Sequence, residues 1–383
     1  MKKIDHLPVN WVNGLKLNNS HFFETYYNMV ATVRLDCEER LTGYNYGFGE
    51  GLTGTAVPVE IETKGDTVDT FSVLLKSCNA VTRNGFHIIY DRSLYGDYIP
   101  AAKLRDVEVD FSKRQELFII LFVNPYKLLP VGIPDPEITP LHHPYVLPEI
   151  NIQLVPEAQV NKTFLERNCI IAGRGVAEGN LFTVDTQYIP PVQKTCYAQT
   201  LLSFLDFFTK HVKAVYDYSQ LVYRKNITDS RRDTLVENTF SLCNVIQTFY
   251  SKNIFDLENL AAEQPPIHMV HLANRLANML LTVLRTMPEK EFEVLLQYYN
   301  EWINVKPADF MHTIGDVASV VYKHTDIAPI LSKIGDFIDM LNKLFKKMSE
   351  LEYVGLMREN IVISEDSERN VSESERKSWK VWE

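Results

Sequence analysis

Apolar positions alternate near the start of the chain. In VNWVNGLKLNNSHF, Val9, Trp11, Leu15 and Leu17 recur with Asn10, Val12, Lys16 and Asn18 between them, and Gly14 interrupts. That period of two predicts a short strand over Val9–Leu17, with Trp11 and Phe22 as core anchors. From His21 the period lengthens. Phe22, Tyr26, Val30, Val33 and Cys37 recur at three and four, which predicts a helix over 21–40, capped by Asn19 or Ser20.

The pattern up to residue 190 is mostly that of strands. Turn signals stand at Gly65-Asp66, Asn84-Gly85, Gly132, Gly173 and Gly179-Asn180. Between them lie TFSVLLKSCNAV, GFHIIYD, LFIILFV and INIQLV, and Asn84-Gly85 is a hairpin signal. Many short strands at this spacing predict a sandwich or barrel. PVGIPDPEITPLHHPYVLPE, at 130–149, is rich in proline, which removes amide donors and fixes φ, so an extended loop is expected. YIPP, at 188–191, ends the sheet and leads towards a helix.

Helical periodicity follows. Leu201, Leu205, Phe208, Val212, Val215, Ser219 and Val222 step by four and three, a heptad seam. A second helix over 230–251 carries Leu235, Leu242, Val245, Ile246 and Phe249. A third begins after Pro265-Pro266 and turns Ile267, Val270, Ala273, Ala277, Leu280 and Leu284 inward. Further helix fills 289–350. There, Ile327, Leu331, Ile334, Ile338, Leu341 and Phe345 share a face and Thr325 is a candidate cap. One or two short strands are expected over 352–364. The polar tail 365–383, which holds Trp379 and Trp382, lacks periodicity and is expected to be disordered. The class is therefore α+β: a β-sandwich over 1–190, a helical bundle over 191–288 and a small, mostly helical domain over 289–364.

Composition narrows the function. A formal net charge of −10 without a long basic block disfavours nucleic acid and anionic lipid as partners. Five isolated cysteines fit reduced thiols in a cytosolic protein. The N-terminus lacks the apolar segment of an export signal. LFIILFV is far shorter than the ~20 residues of a membrane-spanning helix.

Candidate chemistry is sparse. GYNYGFGEGLTG lacks the Lys and Ser/Thr that complete a phosphate loop. GRGVAEG leads into NLFTVD, a strand pattern, whereas a dinucleotide site needs a helix N-terminus. His142-His143 are neighbours in a proline-rich loop. His268 and His271 have chelating spacing but no third ligand nearby in sequence. His21 has no visible nucleophile partner, so a structural hydrogen bond is expected of it. No GxSxG or HExxH is present. The reading is non-enzymatic, with no catalytic, cofactor or metal site.

NWVNGLKLNNSHF resembles the opening of the TssK family, the baseplate adaptors of bacterial type VI secretion, at Trp11, Gly14, Leu15, His21 and Phe22. NAVTRNGFHIIY, with Gly85, is similar to that family's early hairpin. DTQYIPPVQ, with Tyr188, Pro190 and Pro191, is similar to its step from strands to helices. QPPIHMVHLANRLANML, with Pro266, Leu272 and Leu276, is similar to a later neck helix. The family's Pro-Gln before His-Phe is Asn19-Ser20 here, and no match is evident after about 290. The resemblance implies a homotrimer with a β-rich shoulder facing the wedge proteins TssF and TssG. A helical neck would join the subunits, and a head would face the cytoplasmic part of the membrane complex. It implies no activity or cofactor, and a cytoplasmic place at the inner face of the inner membrane. On this reading Leu201, Leu205, Phe208, Val212, Val215 and Val222 are the neck and trimer seam. Ile334, Ile338, Leu341 and Phe345 are candidates for docking by the head. A phage-type tail or receptor-binding protein with the same shoulder is the alternative, and an unrecognised hydrolase a third reading.

Overall fold

A computed structural model describes residues 6–52, 57–108, 110–111, 113–227, 234–351 and 354. The chain divides into two compact units. The first takes Met1–Leu205, Asn259–Met269 and Tyr322–Ile330; the second takes Asp206–Glu258, Val270–Val321 and Leu331–Glu383. The ranges expected as a bundle and as a separate C-terminal domain thus both contribute to the second unit, and both also give residues to the first. The expected strands over 352–364, apart from Val354, and the tail with Trp379 and Trp382 lie outside the described residues.

The first unit opens with α1 (Asn19–Arg40). Its cap is Asn18, one residue before the expected pair. The Asn18 Oδ1 accepts from the His21 amide at 3.2 Å, and the Asn18 amide donates to His21 Nδ1 at 3.4 Å. Two amides that the helix leaves unpaired are satisfied reciprocally, so Asn19 and Ser20 fall inside the helix. The expected strand over Val9–Leu17 does not form. Gly14, at φ 84°, sits in a turn closed by the Leu15 amide on the Val12 carbonyl at 3.2 Å. The turn breaks the period-two segment at its middle. Trp11 is 51% exposed and Phe22 58%, so neither anchors a core.

Two antiparallel sheets follow. The first joins β1 (Gly47–Phe48), β2 (Val59–Lys64), β3 (Ser72–Val81), β4 (His87–Asp91) and β5 (Ala101–Lys103), all built around β3. A short helix, α2 (Arg92–Tyr95), separates β4 from β5. The second sheet has the order β7-β6-β8-β9, from β6 (Gln115–Val131), β7 (Tyr145–Pro156), β8 (Cys169–Glu178) and β9 (Leu181–Val184). The short α3 (Lys162–Leu165) lies between β7 and β8. Asn84-Gly85 forms the expected hairpin turn, with Val81 opposite His87. The hairpin turn expected at GRGVAEG, with Gly173 among the turn signals, is displaced: Gly173 to Glu178 lie within β8, and only Gly179 enters the turn to β9.

In β6, Leu117 to Leu121 are buried without alternation, so both faces of that strand are covered. Phe118 and Ile120 pack with Val155, Ile171 and Tyr188 in one cluster. The sheets are tied by side chains: the Tyr95 and Tyr98 hydroxyls donate to the Pro148 and Ile150 carbonyls, each at 2.8 Å. The proline-rich stretch is less of a loop than expected. Val131 still pairs with Tyr145 and Leu128 with Pro148, leaving residues 132–144 as the loop. Prolines fit here because β7 is an edge strand and β6 pairs with β8 only as far as Phe122.

The second unit is helical. It contains most of α4 (Gln199–Ile227), α5 (Thr234–Asn259), α6 (Ile267–Thr286) and α9 (Ala328–Glu350), with α7 (Glu289–Ile303) and α8 (Pro307–Ala318) whole. Helix ends are satisfied by side chains from other helices. Asn274 Nδ2 donates to the Val317 and Ala318 carbonyls at 3.0 and 2.9 Å, closing α8. Lys225 Nζ donates to the Ser349 carbonyl at 2.6 Å, closing α9.

Candidate interaction surfaces

The predicted motif residues divide between surface and core. Exposed Trp11 and Phe22 come together with half-buried His21: the Trp11 ring centroid lies 6.0 Å from His21 and 6.5 Å from Phe22. Leu15 is half-buried, and a side chain at Gly14 would meet open space. The junction residues are internal. Tyr188 is buried and donates to the Thr325 carbonyl at 2.8 Å; α9 begins only at Ala328, so Thr325 is not at its cap position. The Pro191 carbonyl, following half-buried Pro190, accepts the Phe48 amide at 2.8 Å. That backbone approach is why Gly47 has no side chain, since a Cβ would lie 2.3 Å from the Pro191 oxygen.

The seam residues require a correction. Leu201, Leu205, Phe208, Val212, Val215 and Val222 are each 5% exposed or less within one chain. They are covered inside their own subunit and cannot also be a contact between copies. The outward face of α4 is mostly polar, with Asp206, Lys210, Lys213, Asp217 and Arg224, and carries exposed Leu221 and Ile227 towards its C-terminal end. Ile334, Ile338, Leu341 and Phe345 are fully buried in the second unit, so they are packing residues and not docking residues. Their amphipathic spacing reports burial, whatever lies on the other side.

A charged cluster escaped the sequence reading. It holds residues 324–326 within the first unit. His324 is buried; its Nε2 lies 2.8 Å from the Tyr46 carbonyl and its Nδ1 2.8 Å from the Tyr322 hydroxyl. A carbonyl can only accept, so the proton is on Nε2 and Tyr322 donates to Nδ1. Arg174 donates to Asp185 from Nε and Nη2, at 3.0 and 2.7 Å, and lies 3.5 Å from Asp326. Burial alone would raise the Asp185 carboxyl; the Arg174 guanidinium and the Gln187 and Tyr188 amides together outweigh it and hold the group low. No linear motif links Arg174, Asp185 and Asp326, because the pairing depends on the loop's path. The same arginine lines a cavity of about 570 Å³ with Arg114, Glu116, Glu178 and Asp185, whose charges largely balance.

Reactive arrangements are few. Cys37 Sγ lies 3.6 Å from His87 Nε2 at the surface, and among the described residues no carboxylate orients that imidazole. Burial pushes the Cys169 and Cys243 thiols up to about 12, which keeps them protonated and poorly nucleophilic. His142 and His143 each bond a backbone carbonyl, of Pro140 and Gly132, at 2.7 Å. Among the described residues no three His, Cys, Asp or Glu side chains converge as a metal site, and no helix is long and apolar enough to cross a membrane.

No family model and no curated protein matches the sequence. Solved structures do match. A crystal structure of TssK superposes with a TM-score of 0.51 at 13% identity, covering 88% of this chain and 69% of that one. A chain from the type VI secretion TssK–TssF–TssG baseplate subcomplex also gives 0.51, at 16% identity, covering 88% of this chain and 99% of that one. The chain has the fold of TssK.

Proposed function

We propose that this protein is a non-enzymatic, homotrimeric adaptor of a type VI secretion baseplate. In this reading its β-rich unit engages the wedge proteins TssF and TssG. Its helical unit faces the cytoplasmic part of the membrane complex, at the inner face of the inner membrane. The observation that carries the reading is the shared fold with a chain of the TssK–TssF–TssG subcomplex, over 88% of this chain. Exposed Trp11 and Phe22, grouped beside half-buried His21, add support, because grouped apolar side chains in water mark contact surfaces.

The test is co-expression of the full chain with the TssF and TssG of its own organism, followed by affinity capture and light scattering. A complex that stays together through sizing, with this chain present in threes, is the expected result. Failure to co-elute at micromolar concentrations overturns the reading.

A further inference from the structure

Cys37 lies in the last turn of α1, and His87 opens β4. The hairpin that carries β4 is pressed against the helix. A Cβ on Gly85 would come within 3.3 Å of the Cys37 Cβ and 2.9 Å of the Glu38 amide nitrogen. This close seat brings Cys37 Sγ to 3.6 Å from His87 Nε2, within hydrogen-bonding reach of sulfur. With the imidazole proton on Nδ1, Nε2 accepts from the thiol. Cys37 is half-buried and His87 exposed, so the pair can be reached from water.

The other four cysteines are poor nucleophiles. Cys78, Cys169 and Cys243 are buried, and burial pushes all three thiols up. Cys196 is half-buried; burial and the Glu263 carboxylate, 3.7 Å away, both push it up. A thiol reacts as its thiolate, so these four are held in the inert form. Among the described residues, only Cys37 has an imidazole nitrogen within reach of its sulfur.

Charges around the pair balance. On α1, Arg34 pairs with Glu38 and Arg40 with Asp36, each at 2.9 Å. On the hairpin side, Arg83 shares a groove with Arg34, Glu38 and Glu166. The C-terminal end of α1 disfavours an anion and favours a cation. The helix end by itself therefore keeps the sulfur protonated. An imidazolium beside the thiolate offsets that, which makes His87 the group that decides the sulfur's reactivity.

We propose that Cys37 is a site of reversible S-thiolation by a low-mass disulfide of the glutathione class, with His87 as its base. Nε2 of His87 takes the thiol proton. The Cys37 sulfur attacks one sulfur of the disulfide, so a new S–S bond forms and the old one breaks. The departing thiolate recovers the proton from the imidazolium. One thiol and one disulfide give one mixed disulfide and one thiol, and no further oxidant is consumed. The adduct takes the sulfur out of its hydrogen bond to His87, one of the side-chain links between α1 and the first sheet.

The experiment incubates the full, reduced chain with glutathione disulfide at pH 7 and reads intact mass and peptide maps. One adduct is expected, on Cys37, and dithiothreitol should remove it. In urea all five cysteines should react. His87→Asn changes an exposed position, so the melting temperature should stay near that of the parent. That variant should react roughly tenfold or more slowly at pH 7. Above about pH 9, where thiols ionise without help, the two rates should converge. A first adduct on another cysteine overturns the proposal. So does a native chain that stays unmodified while the urea-treated chain reacts. Equal rates at pH 7 for parent and His87→Asn, or a rate ratio that is the same at every pH, overturn the assignment of His87 as the base.

Discussion

His324 donates from Nε2 to the carbonyl of Tyr46 at 2.8 Å, across 278 residues of sequence. Burial holds the ring well below its ordinary value, at about 4, although the Tyr46 hydrogen bond acts in the opposite direction. The folded pKa is below the unfolded one of about 6.5. The unfolded chain therefore binds the extra proton first. This contribution is complete above about 6.5 and declines as pH falls towards 4. Between pH 6.5 and 5 the parent should lose about 1.5 kcal/mol more than a His324→Gln chain. Urea unfolding at the two pH values measures this, and equal losses in both proteins would contradict it.

Gly85 tests the seat of α1. Its φ is 90°, and a Cβ there would lie 2.4 Å from the Arg34 carbonyl oxygen and 2.9 Å from the Glu38 amide. Gly96 also has positive φ, 64°, but faces open space. Gly96→Ala should cost only the roughly 1–3 kcal/mol of backbone strain. Gly85→Ala adds displacement of a helix, so its melting temperature should fall clearly further. Similar melting temperatures would show that α1 yields freely.

Asn18→Ala removes the reciprocal cap of α1. Little of α1 is buried apart from Ala31, so few contacts compensate. The expected cost is about 1 kcal/mol, read as faster hydrogen exchange in the first turn, with the His21 amide most affected. Unchanged exchange at His21 would show that the cap contributes nothing.

Trp11 and Phe208 contrast surface with core. Trp11→Ala should change stability by less than about 1 kcal/mol, because half of the residue is already in water. Phe208→Ala should cost about 3–5 kcal/mol, because it empties a fully buried site. Denaturant midpoints for the two variants decide the point, and a reversed order would mean that the N-terminal segment is core.

The buried elements were legible where packing imposes a period. The seam from Leu201 to Val222 and the face from Ile327 to Phe345 were both found from spacing, and both are buried. Their role was misjudged because a stripe records that something covers it, without recording whether the cover is the same chain. Val9–Leu17 misled for a related reason. Alternation makes a strand only where a neighbouring edge offers hydrogen bonds, and a glycine turn intervenes. The Arg174–Asp185–Asp326 group and the His324 contact left no sequence trace, since each depends on a loop returning from far along the chain.

That return sets the order in which the protein can be completed on the ribosome. Tyr46 and Tyr188 have their partners at His324 and Thr325. A nascent chain can build both sheets early, yet the β-rich unit must wait for residues 322–330 before its last buried groups are satisfied. A chain cut before that point would carry an unfinished N-terminal unit as well as a missing C-terminal one. Truncation mutants would thus confuse the two, and nonsense products should be targets for proteolysis even though most of the sheet residues are present.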